Sequence, residues 1–101
     1  MIGVDIVKIS RFIDNYDKFA KRILTEQELD EYQKIVEIRK KIKYVAVHWS
    51  IKEAIYKADN NYSTFNKINI TKENSAYMHE NFYISTSDDG DNLVAFVIKK
   101  G

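Results

Sequence analysis

The segment Trp49-Ser50-Ile51-Lys52-Glu53-Ala54-Ile55-Tyr56-Lys57 brings a carboxylate and two ammonium groups close together. On a helix of about 3.6 residues per turn, Trp49, Glu53 and Lys57 stand above one another, with Lys52 beside them. Ammonium groups pair with phosphate, and a carboxylate is a hard ligand for a divalent cation. Near the other end of the chain, Ile2-Gly3-Val4-Asp5-Ile6-Val7 sets a second carboxylate in an otherwise apolar strand. Taken singly, each segment has a plainer reading. Glu53 and Lys57 would form a surface i,i+4 pair worth roughly 0.2–0.5 kcal/mol, and Asp5 would be a turn residue or a helix N-cap.

The elements that must position these groups are legible in the pattern. Ile2, Val4 and Ile6 alternate with Gly3, Asp5 and Val7, which predicts a strand with one buried face. Gly3 leaves room beside Asp5 for a backbone or a ligand. Ile9, Phe12 and Ile13 fall at i, i+3 and i+4, predicting a short amphipathic helix over Lys8 to Asn15 with Arg11 on its outer side. Asp17 is placed to cap a second turn through Phe19, Ala20 and Ile23, leaving Lys18, Lys21 and Arg22 toward water. Thr25-Glu26-Gln27-Glu28 reads as a capping box opening a helix with Leu29 and Tyr32 inward. A long helix follows from about Val36 to Ala58, uninterrupted by proline or glycine. Its apolar stripe is Ile38, Ile42, Val45, Trp49, Ile55 and Ala58, with Trp49 as a core anchor. Arg39, Lys40, Lys41 and Lys43 form a positive cluster that reads as a solvated face or as attraction for phosphates or an acidic partner.

After the polar turn Asp59-Asn60-Asn61-Tyr62-Ser63, the residues Ile68, Ile70, Phe82, Ile84, Val94, Phe96 and Ile98 mark three strands, the last two joined through Ser87 to Asn92. The fold class is therefore α+β: an N-terminal strand, helices including one long helix, then antiparallel strands, with helices on one side of the sheet. The final strand is apolar on both faces, Leu93, Ala95 and Val97 opposite Val94, Phe96 and Ile98. It needs two covers, which predicts self-association.

The chain has 101 residues and no internal repeat, so residues 1–101 read as a single domain with a thin core. The formal net charge is +1 with interleaved signs, which gives no sign of a nucleic-acid partner. There is no cysteine, which removes thiolate chemistry and cysteine zinc sites. No segment approaches the ~18 uninterrupted apolar residues of a membrane span, so the expectation is a cytoplasmic protein without a membrane partner.

Together the two chemistry-bearing segments resemble the two signature motifs of the phosphopantetheinyl transferases, in particular the small holo-acyl-carrier-protein synthases. Ile2, Gly3, Val4, Asp5 and Ile6 match the first motif, and Trp49, Ser50, Lys52, Glu53, Ala54 and Lys57 the second. The stretch Lys21 to Leu29 is similar to the family segment between them. The resemblance implies a phosphopantetheinyl transferase-like fold and transfer of 4′-phosphopantetheine from coenzyme A to a serine of an acyl carrier protein. It also implies Mg²⁺ held by Asp5 and Glu53, since Mg²⁺ is typically held by one or two carboxylates plus phosphate and water.

In that reading Glu53 and Lys57 are the catalytic pair. Glu53, directly or through water, is the candidate base for the serine, and Lys57 meets the charge that develops on phosphate. Lys52, Lys57, His48 and Ser87 are the candidate coenzyme A contacts, and Arg11 and Arg22 the carrier-protein contacts. A homotrimer with shared active sites is implied as well. The chain departs from the family at three places: Asp59-Asn60-Asn61 replaces a glycine-containing turn, His48 an arginine, and Asp88 a histidine. Those departures motivate the alternative of a non-catalytic nucleotide- or carrier-protein-binding module, and a small structural oligomerisation domain is a third reading.

Overall fold

The computed structural model describes residues 1–101. In chain order, strand β1 (Ile2–Lys8) leads through a 3₁₀ turn at Ile9–Phe12 to helices α1 (Tyr16–Ile23), α2 (Glu26–Gln33) and α3 (Ile38–Ala58). After a 3₁₀ turn at Phe65–Lys67 come strands β2 (Thr71–Glu73), β3 (Ala76–Met78), β4 (Phe82–Asp89) and β5 (Asn92–Lys99). The order β1-β5-β4 makes a three-stranded antiparallel sheet, and β2 and β3 make a separate hairpin. The α+β class is as expected, with α3 lying across β1 and β5.

Helix α2 starts where the capping box places it. Thr25 Oγ1 accepts from the Glu28 amide at 3.2 Å, and Glu28 Oε1 accepts from the Thr25 amide at 3.0 Å. The segment Lys8 to Asn15 is tighter than expected, a 3₁₀ turn rather than an α-helix. Asp17 does not cap α1; it lies inside the first turn and its carboxylate accepts from Tyr32 Oη at 2.6 Å. Helix α3 is 21 residues long, and its C-terminal half is buried nearly all round, including Val47, His48, Ser50, Ile51, Lys52 and Ala54. A helix so enclosed has no single apolar stripe. The expected stripe therefore described only part of it, and Ile38 stands 59 % exposed.

Strand β1 buries the face that composition disfavours. Gly3 and Val7 turn inward while Ile2, Val4 and Ile6 are 60 %, 52 % and 67 % exposed. Gly3 is the reason: a Cβ there would lie 1.8 Å from the Ala54 carbonyl oxygen and 2.7 Å from its carbon. Only the glycine face lets the α3 backbone come this close, and Ala54 and Ala58 keep the helix side of the contact small. The neighbouring β5 continues the buried face with Leu93, Ala95 and Val97 and leaves Phe96 and Ile98 outside. Gly3→Ala should force strand and helix apart and lower stability by about 1–3 kcal/mol. Chemical denaturation would register the loss, and an unchanged midpoint would contradict the close approach.

Two strand expectations need correction. Ile68 and Ile70 are buried but lie outside any strand, and the hairpin Thr71–Met78 that follows has almost no apolar alternation to reveal it. Its turn is made by Asn74 and Ser75, both at positive φ. The β4–β5 connection is shorter than expected, because the ladder continues to the Asp89–Asn92 pair; only Gly90, at φ +62°, and Asp91 turn the chain.

Candidate active site

The close contact of β1 with α3 brings Asp5 to the helix face that carries Ser50, Glu53 and Lys57, spaced i, i+3 and i+7. Lys57 Nζ donates to Asp5 Oδ1 and to the Val4 carbonyl, each at 3.1 Å. Ser50 Oγ donates to Asp5 Oδ2 at 3.1 Å. Lys57 thus leaves its expected i,i+4 partner Glu53 and crosses to the strand. Asp5 is largely covered, its side chain 13 % exposed, while Lys57 is 49 % exposed.

Glu53 forms none of the ion pairs of the chain. Burial and then the Asp5 carboxylate push its pKa up, while Lys57 and Arg11 pull it down. The two carboxylates therefore lie within each other's field, with two cations beside them. This suits a divalent cation: two hard oxygen donors, charge repulsion for the cation to relieve, and coordination positions left for phosphate and water. No cluster of three or more His, Cys, Asp or Glu groups is present. Protein ligation by two carboxylates is the pattern of Mg²⁺ rather than of a closed structural metal site.

Arg11 lies over the Trp49 ring at 5.4 Å from its centroid. Trp49 packs edge-on against Phe19 and Phe65 and tilted against Phe12, which fits the structural role expected of it. Arg22 lies over Phe19 at 5.6 Å. The two arginines thus border one aromatic cluster next to the carboxylates, and both are exposed.

Lys52 and His48 must be corrected as phosphate contacts. Lys52 is fully buried, and its Nζ donates to Glu28 Oε1 at 2.6 Å, to the Ile23 carbonyl at 2.6 Å and to the Phe65 carbonyl at 3.0 Å. Burial pushes its pKa down and Glu28 pulls it back up. Three acceptors need three N–H groups, which only the charged ammonium has, so no donor is left for a substrate. His48 is 2 % exposed, stacked on Tyr44 with Nδ1 at 2.8 Å from the Tyr44 carbonyl. That carbonyl requires an N–H at Nδ1, and burial pushes the imidazole pKa down. His48 is a neutral core residue. Glu28, unrecognised in the sequence as more than a cap residue, also accepts from the Ile70 amide at 2.6 Å and so ties the start of α2 and the segment before β2 to Lys52 on α3.

Ser87 is exposed on β4 and lines a cleft of about 380 Å³ with Lys40, Lys43, Lys72, Ser75 and Thr86. Asp88, at the position where the family histidine was expected, forms an ion pair with Lys43 at 2.6 Å. Lys72 is a cation of this cleft that the sequence reading did not single out; it became visible only once the β2–β3 hairpin was placed.

A strand carboxylate and a helical Glu-x-x-x-Lys joined across one α+β contact define a class. The family model of the 4′-phosphopantetheinyl transferase superfamily matches residues 1–96, and the chain belongs to that superfamily. Within it, the chain is 55 % identical to a holo-[acyl-carrier-protein] synthase of Mycoplasma mobile over 100 residues, covering 99 % of this chain and 89 % of the relative. It is 45 % identical to the holo-[acyl-carrier-protein] synthase of Mycoplasmopsis pulmonis, covering 100 % of this chain and 91 % of that one. Among solved structures, a holo-(acyl-carrier-protein) synthase from Bacillus anthracis in complex with CoA (3′,5′-ADP) superposes with a TM-score of 0.80 at 27 % identity, covering 95 % of this chain and 91 % of that chain. The Neisseria meningitidis holo-[acyl-carrier-protein] synthase gives 0.77 at 27 % identity, covering 99 % and 97 %.

Proposed function

We propose that the chain is an Mg²⁺-dependent holo-[acyl-carrier-protein] synthase. It moves 4′-phosphopantetheine from coenzyme A to a serine of apo-acyl carrier protein and releases adenosine 3′,5′-bisphosphate. The observation that carries this reading is the convergence of Asp5, Glu53 and Lys57 at the β1–α3 contact. It sets two metal-competent carboxylates beside an ammonium in a chain 55 % identical to a named synthase. Residues 1–101 act as one transferase domain. No helix is long and apolar enough to cross a membrane; a cytoplasmic setting is part of the proposal.

In the reaction the serine Oγ forms a bond to the phosphorus that bears the pantetheine arm. The P–O bond to the bisphosphate breaks, and the serine proton leaves to a base. Asp5 and Glu53 would hold Mg²⁺, which when bound would supply positive charge against the pyrophosphate. Glu53 is the base we assign to the serine proton, directly or through water. Lys57, half exposed on the same face, meets the negative charge that grows on the transferring and leaving groups.

The cleft lined by Lys40, Lys43, Lys72, Ser75, Thr86 and Ser87 is the proposed coenzyme A contact, because cations and hydroxyls are the chemistry a phosphorylated nucleotide requires. Arg11 and Arg22 on the aromatic cluster are the proposed carrier-protein contacts. Mass spectrometry of apo-acyl carrier protein after incubation with the chain, coenzyme A and Mg²⁺ tests the reaction. A gain of one phosphopantetheine is expected, and an unmodified carrier would leave only a binding module.

The assembly we propose is a homotrimer. The outer sheet face carries Ile2, Val4, Ile6, Tyr83, Phe96 and Ile98, all exposed in the single chain. A contiguous apolar surface of this kind on a small domain marks an interface. The number three comes from the family resemblance. Phe96→Asp is expected to shift sedimentation equilibrium from the trimer mass to the monomer mass and to cut transfer at nanomolar protein. A wild-type chain that is monomeric and fully active at that concentration would overturn both the assembly and site sharing.

A further inference from the structure

The hydroxyl of Ser50 has no place in the reaction as described, yet it is fully buried and aimed at the site. Serines inside helices ordinarily turn their hydroxyl back to the carbonyl one turn earlier. Ser50 instead reaches across to β1, with Asp5 Oδ2 at 3.1 Å and the Asp5 carbonyl at 3.4 Å. From the proposed role of Asp5 as a ligand to Mg²⁺, we infer that Ser50 is a positioning residue whose hydroxyl orients that carboxylate.

The reasoning is geometric. The terminal torsion of an aspartate is broad and nearly two-fold, so its two oxygens are readily misdirected. Here both are tied to α3, Oδ2 by Ser50 and Oδ1 by Lys57, on either side of Glu53 along the helix. Lys57 is half exposed, within reach of solvent and of a phosphate, whereas Ser50 is fully enclosed. The hydroxyl is therefore the fixed half of the orientation. The lattice of small residues at this contact, Ala54 and Ala58 against Gly3, needs no hydroxyl to pack. Partners of this kind behind a metal ligand are worth about 10–100-fold in metal affinity.

The test is Mg²⁺ titration by calorimetry on the intact chain, with the melting temperature of each variant measured in parallel. Ser50→Ala is expected to raise the Mg²⁺ dissociation constant about tenfold, and Ser50→Cys, nearly isosteric but a weak donor, to fall between. Transfer lost at limiting Mg²⁺ should return as Mg²⁺ is raised, which a damaged fold would not allow. If Ser50→Ala does not melt cooperatively, Ser50→Cys decides alone. A folded variant that binds Mg²⁺ as the wild type does overturns the inference. Failure of the wild-type chain to bind Mg²⁺ overturns the two-carboxylate site itself, and the inference with it.

Discussion

Removing either carboxylate of the β1–α3 contact is expected to lower phosphopantetheine transfer by at least about 10²–10³-fold, the loss typical when one electrostatic stabiliser of a transition state is deleted. Two variants are cleanest. Glu53→Ala removes a side chain that makes no ion pair, so the melting temperature should stay near that of the wild type. Asp5→Asn keeps one oxygen to accept from Lys57 and turns an NH₂ group toward the Ser50 oxygen, while taking away the charge. Asp5→Ala would additionally leave the buried Ser50 hydroxyl with only the main-chain carbonyl of residue 5, at 3.4 Å, as its acceptor. The measurement is the initial rate of carrier modification followed by mass spectrometry across a range of Mg²⁺. Near-normal turnover by either variant at moderate Mg²⁺ would remove the assignment of the metal to these groups.

The second large effect falls on stability rather than chemistry. Lys52→Met removes the cation from an ion pair whose side chains are 0 % and 1 % exposed, leaving the Glu28 carboxylate charged and buried. Breaking a buried pair in this way costs about 3–5 kcal/mol. A domain of this size has only about 5–15 kcal/mol in total, so the variant should unfold at far lower urea than the wild type. Glu28→Gln should also destabilise, because Lys52 then keeps its charge without a counter-ion. The double variant should lose less than the sum of the two, since neither charge is left alone. Urea denaturation of all four chains gives the coupling. A cost below about 1 kcal/mol for Lys52→Met would mean that the lysine is a spectator, and would reopen it as a substrate contact.

The burial of Lys52 also explains why the second motif holds two lysines with different fates. At one helix position Lys52 points to the interior, where α1, α2 and the turn before β2 supply its acceptors. Five residues later Lys57 emerges beside Asp5. One lysine fastens α3 to its neighbours, and the other stands on the face presented to the site.

Several features were determined by the sequence alone, because their causes are local. Thr25 and Glu28 specify the start of α2, since a capping box closes within one turn. The absence of proline and glycine carries α3 to Ala58, and the helix period puts Glu53 and Lys57 on a common face. Gly3 beside Asp5 announced a close approach, which proved to be the α3 backbone. The joint presence of the two motifs, in this order in a short chain, carried the resemblance to the family.

Tertiary structure decided the partners. Helical periodicity gives a direction about an axis but not what lies in that direction, so it offers Lys57 its helix neighbour Glu53 in the plainer reading and does not show Asp5, 52 residues away, as the acceptor it meets. Strand alternation separates two faces without saying which is covered. In β1 the apolar face Ile2, Val4 and Ile6 lost the helix to the face bearing Gly3, because steric access overrode hydrophobicity. The burial of Lys52 and Glu28 was likewise invisible, since each charge is tolerable in the core only through the other, and they are brought together across 24 residues by the packing of α2 on α3.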